Sequence, residues 1–71
     1  MHRFLVVIEK ADGNYSAYSP DLLGCVATGK TRDRVARNMH EAIGLHVRGL
    51  LEVKLPVPQS LSFAEHVVLP V

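Results

Sequence analysis

Residues 19–31 read Ser19-Pro20-Asp21-Leu22-Leu23-Gly24-Cys25-Val26-Ala27-Thr28-Gly29-Lys30-Thr31, and this stretch holds a strand break, a strand and a helix start in succession. Pro20 lacks an amide donor, so a ladder cannot run cleanly through it. Cys25 to Thr28, bounded by Gly24 and Gly29, reads as a short strand. Thr31 is the expected N-cap, because its hydroxyl can accept from the free amides of a first helical turn. Upstream, Arg3 to Lys10 (Arg-Phe-Leu-Val-Val-Ile-Glu-Lys) is too short for an isolated helix and rich in β-branched and aromatic residues, so it reads as a strand. Phe4, Val6 and Ile8 point to one face, Leu5 and Val7 to the other. A strand apolar on both faces is expected to be covered twice, by its own helix and by a partner subunit. The turn cluster Ala11-Asp12-Gly13-Asn14 then returns the chain through Tyr15 to Ser19 as an antiparallel hairpin.

Downstream of Thr31 the apolar spacing is helical. Val35, Met39, Ala42, Ile43, His46, Val47 and Leu50 fall on one side, and Arg37, His40, Glu41, Gly44, Arg48 and Glu52 on the other. Val35, Met39, Ile43 and Leu50 are expected to face the sheet. Leu45 and Leu51 lie outside the stripe and, with Leu5 and Val7, are candidates for an oligomer interface. The helix should fail before Leu55-Pro56-Val57-Pro58, and Phe63 to Leu69 reads as a last strand. The fold class is α+β, in the order β-β-β-α-β: a three-stranded antiparallel meander, one helix packed on the sheet and a final strand.

The sequence has 71 residues, 48% hydrophobic and 21% charged, and is read as one domain over residues 1–71. So short a chain buries only about 60% of its unfolded surface, and this apolar content exceeds what a small monomer hides. A homodimer or higher oligomer is therefore expected. Eight Lys and Arg against seven Asp and Glu give a net charge of +1, which supplies little global attraction to nucleic acid or an anionic membrane. The single cysteine, Cys25, excludes an intramolecular disulfide and points to the cytoplasm. No run approaches a membrane span, and the first residues are unlike a signal peptide.

Four histidines, His2, His40, His46 and His66, are the natural place to look for chemistry. A zinc site needs three or four converging ligands, whereas His40 and His46 stand about 120° apart around a helix. No carboxylate pair has catalytic spacing, and Cys25 sits among apolar neighbours rather than beside a base that would activate it. The expectation is a non-enzyme with no metal, no cofactor and no catalytic residue. Lys30, Arg32, Arg34 and Arg37 form a basic cluster at the helix start, read as a solvated face with at most weak phosphate contact. Tyr15 and Tyr18 are offset by three, so they face opposite sides of a strand and build no stacking platform.

The segment Pro20 to Cys25, the Gly29-Lys30-Thr31 helix start, and Asn38 with Glu41-Ala42-Ile43 together resemble the HicB antitoxin family, and the match extends over nearly the whole chain. The resemblance implies a partial RNase H-like fold without nuclease carboxylates and pairing with a HicA-type toxin, a small mRNA interferase. Two departures stand out. Arg34 replaces the glutamate that would complete a capping box in many members. Longer members also continue into a DNA-binding domain, so no sequence-specific DNA binding is expected of residues 1–71. By this resemblance the chain would neutralise its toxin sterically, as a type II antitoxin. Because such a toxin handles RNA, the carboxylates Glu9, Asp12, Asp21 and Glu41 are the candidate partner-binding residues, with Asp12 and Asp21 expected at adjacent strand ends. The alternative is a stand-alone homo-oligomeric interaction module without a toxin partner.

Overall fold

Turn residues and apolar spacing translate into three strands and one helix: β1 (Val7–Ala11), β2 (Asn14–Ser19), β3 (Leu22–Gly29) and α1 (Arg32–Glu52). The structure, a computed structural model, describes residues 2–71. The sheet is an antiparallel meander in the order β1-β2-β3. Ile8, Ala17 and Ala27 stand in one cross-strand row and pack toward α1. The alternating row, Val7, Tyr18 and Val26, turns to the opposite face. α1 lies over β3 and β2 and barely touches β1. The core is Ala17, Leu22, Cys25, Val35 and Met39, with Val35 at 0% and Met39 at 1% exposure.

The α+β meander-plus-helix reading agrees with this architecture, while several boundaries move. β1 begins at Val7 rather than Arg3. Its partner β2 pairs Tyr18 with Val7, and just past Ser19 the chain bends at Pro20 into the turn toward β3, away from residues 4–6. β3 begins at Leu22 rather than Cys25, because Leu22 is driven into the core. The excess residues on β3 are absorbed as a register shift, with Gly24 in the left-handed region at φ +80°. Leu23 is thereby thrown outward, at 90% exposure. The expected last strand is not formed in the single chain: residues 55–71 carry no paired element, and Phe63, Val67, Val68 and Leu69 are exposed.

Gly29 does more than end β3. A Cβ placed there would lie 2.6 Å from the Val35 amide nitrogen and 2.9 Å from its Cα. The missing side chain lets the first helical turn press directly on the strand end. Asn38 fastens the same junction by donating from its side-chain amide to the Thr28 carbonyl at 2.8 Å. Thr31 caps the helix as expected, its Oγ1 accepting the Arg34 N–H at 3.0 Å. The helix phase follows the apolar stripe at Val35 and Met39, whereas Ile43 and Leu50 are only half-buried. Ile43 lines a groove over the β1 side of the sheet that α1, leaning toward β3, leaves open, and the 21-residue helix carries Leu50 past the short strands beneath it.

The helix ends at Glu52, four residues before Pro56. The Leu55 N–H donates to the Leu50 carbonyl at 2.9 Å, and the Lys54 N–H to that of Leu51 at 3.1 Å. These are the two bonds of a Schellman motif, and they place Lys54 at φ +59°, a position glycine usually occupies. The proline pair explains why helix cannot resume, and the carbonyl-capping bonds explain where it ends.

Candidate functional site

Asp21 is the polar centre of the molecule's less regular half. Its Oδ2 accepts the Leu5 N–H at 3.0 Å and the Ser60 hydroxyl at 2.9 Å, and its Oδ1 accepts the Ser62 N–H at 3.2 Å. Its own N–H donates to Ser19 Oγ at 3.3 Å, which orients the turn. The Leu5 amide, followed by the Ser60 and Ser62 donors, favours the ionised carboxylate against a smaller opposing effect of desolvation, so the Asp21 pKa is lowered. One carboxylate thus holds the unpaired segment before β1 and the chain beyond the helix together.

The four candidate acidic residues do not form one patch. Glu9 is exposed on β1 in the row Glu9, Ser16, Thr28, on the sheet face away from α1, and exposed Asp12 lies in the adjoining β1–β2 turn. Asp21 sits in the β2–β3 turn, at the other end of β2, so the expectation that Asp12 and Asp21 occupy adjacent strand ends is corrected: one strand length, about 20 Å, separates them. Glu41 is exposed on the helix. The apolar candidates divide in the same way. Leu5 and Val7 are half-buried on the sheet side, and Leu45 and Leu51 are exposed on α1. Periodicity along one element located each residue but carried no information about which elements share a surface.

Two apolar surfaces were not visible in the sequence as such. The row Val7, Tyr18, Val26 forms the centre of the outer sheet face, with exposed Leu23 nearby in sequence. On the helix side, because α1 leans toward β3, a groove of about 460 Å³ opens between Phe4, Val6 and Ile8 on one wall and Ala36, Ile43 and Val47 on the other. His2 and His40 also line it, and the His2 ring stacks on Phe4 with centroids 6.2 Å apart.

Among the described residues, no three His, Cys, Asp or Glu side chains come together in a metal-binding arrangement. His46 is half-buried on the helix. Burial pushes the Cys25 thiol pKa up, away from the thiolate form that nucleophilic chemistry uses. No described helix is long and apolar enough to cross a membrane.

Open apolar faces and exposed carboxylates are the distinctive surface features of this small meander-and-helix domain. The family model for the HicB-like antitoxin of bacterial toxin–antitoxin systems matches residues 4–70, and the chain belongs to that family. A UPF0150 protein of Synechocystis sp. is 37% identical over 60 residues, covering 83% of this chain and 76% of that protein. A UPF0150 protein of Helicobacter pylori is 46% identical over 44 residues, covering 62% of this chain and 61% of that one. An uncharacterized 14.9 kDa protein of Haemophilus phage HP1, from its rep-hol intergenic region, is 32% identical over 65 residues. That match covers 92% of this chain and 49% of the phage protein, so the chain spans about half its length. No solved structure gives a significant match.

Proposed function

We propose that this chain is the antitoxin of a type II toxin–antitoxin pair and that it neutralises a HicA-type mRNA interferase by covering it. The observation that carries this reading is the family match over residues 4–70, which takes in the meander, the helix and the Asp21-bound tail. Inhibition is stoichiometric and steric, because an antitoxin of this kind needs a complementary surface rather than a reacting group. The outer sheet face suits the task. Val7, Tyr18 and Val26 offer an apolar centre, and Glu9 and Asp12 add negative charge at one end. An RNA-cleaving partner presents basic groups, so such a face gives it both burial and charge complementarity. Asp21 contributes indirectly, by ordering the segment around Leu5.

The test is RNA cleavage by a HicA-type toxin titrated with this protein. Cleavage is expected to stop at equimolar protein. Reversing Glu9 and Asp12 to lysine is expected to weaken inhibition at least tenfold, with the loss falling as salt rises. Cleavage that continues unchanged under excess protein would overturn the antitoxin reading. Full inhibition by the charge-reversed variant would remove only the outer sheet face from it.

A further inference from the structure

The chain beyond the Asp21 clasp has the composition of a strand and lacks the surroundings of one. Phe63-Ala64-Glu65-His66-Val67-Val68-Leu69 is β-branched and apolar in its second half, yet Val67, Val68 and Leu69 are 77%, 89% and 69% exposed. Residues 60–64 run beside residues 3–6, held there by the two serine bonds to Asp21. Past Ala64 the chain leads away from the body. The radius of gyration is 14.0 Å, against about 11 Å for a compact chain of this length, and the longest dimension is 50 Å.

The same molecule carries an unfilled counterpart. β1 is an edge strand: residues 4–6 before it lie beside the chain's own residues 60–64, whereas the outer edge of Val7–Ala11 pairs with no other strand and its backbone groups form an open template. Beside that edge lies the 460 Å³ groove between Phe4, Val6 and Ile8 and the helix residues Ala36, Ile43 and Val47. We infer that the tail segment Val67–Leu69 of one copy occupies the groove of a second copy, and that the exchange is reciprocal. An added strand satisfies the edge through its backbone and sends alternate side chains into the groove, a recurrent mode of recognition. From Ser62 to Val71 an extended chain reaches about 30 Å, enough to cross to a neighbour. Exchange of identical segments is two-fold symmetric and closes at two copies, so it yields a dimer rather than a filament. The inference does not rest on toxin binding, and it leaves the outer sheet face free.

The experiment is sedimentation velocity on the full chain at micromolar concentration, using two variants that change only exposed positions. Val67→Asp with Val68→Asp disables the tail, and Ala36→Trp fills the groove. The wild type is expected to sediment as a dimer and each variant alone as a monomer, with dissociation constants raised at least tenfold. An equimolar mixture of the two is expected to recover dimers, since it retains one intact tail and one intact groove. A second measurement is independent of how well the variants fold. Chains carrying Val68→Cys mixed with chains carrying Ala36→Cys are expected to form a disulfide between chains, with Cys25, buried in the core, left reduced. A monomeric wild type, a tail variant that dimerises like the wild type, a mixture that stays monomeric, or no cross-link would each overturn the inference.

Discussion

Residues 7–52 and residues 55–71 are of similar apolar character and have opposite fates. The first stretch folds its apolar side chains onto one another: Val35 and Met39 close over Ala17, Leu22 and Cys25. The second leaves Phe63, Val67, Val68 and Leu69 in solvent and touches the rest mainly through two serines on one carboxylate. Hydrophobicity therefore does not decide burial by itself. Burial requires a complementary face within reach, and the short meander spends its helix-facing surface on α1 before the tail arrives.

That contrast can be broken most severely from the core side. Met39→Ala is expected to cost about 3 kcal/mol, a large share of the roughly 5 kcal/mol available to so small a domain. It should appear as a lowered urea midpoint with an unchanged slope. Gly29→Ala comes next, at about 2 kcal/mol, because the new methyl meets the backbone of Val35 and not a yielding side chain. A wild-type midpoint for this variant would mean that β3 and α1 are not pressed together. Lys54→Gly works in the other direction: relieving the left-handed backbone at φ +59° should raise stability by about 0.5–1 kcal/mol in the same assay.

The tail offers the gentlest test. The Asp21 pKa is lowered in the folded state, so its contribution is fully present above the ordinary value of 3.8 and is lost as pH falls below it. Hydrogen exchange at the Ser62 amide, corrected for intrinsic rates, should accelerate through that window while amides of α1 keep their protection. Asp21→Asn should produce the same local opening at neutral pH. Equal loss of protection in both regions would show that tail and core form one cooperative unit.

What was legible in the sequence was whatever depends on near neighbours. The Thr31 cap, the hairpin at residues 11–14 and the phase of α1 through Val35 and Met39 all follow from spacing within one or two turns. Events set by distant residues were not. The start of β1 is dictated by where β2 bends, and the depth of Ile43 by how α1 leans toward β3 and leaves the β1 side open. A turn aspartate ordinarily bonds its own neighbours, yet Asp21 also accepts from Leu5, Ser60 and Ser62, and no local pattern encodes that. Gly29 reads in the sequence only as the boundary of a strand, because the constraint on it comes from a helix backbone that spacing alone cannot position. The strand propensity of Phe63–Leu69 was legible, but its pairing partner was not.

The Asp21 clasp also imposes an order of events on folding. Its bonds to Leu5, Ser60 and Ser62 span 16, 39 and 41 residues of chain. In an open chain, closing the longest of these loops costs about 0.8 kcal/mol more entropy than closing the shortest. Once the meander and helix exist, that penalty largely disappears, since only the few residues between the Lys54 cap and Ser60 remain to be restricted. The carboxylate thus joins the two ends of the chain as a late event, after the rapid local contacts of hairpin and helix. The same bonds lie outside the buried core, so they are expected to be the first to part when the protein opens.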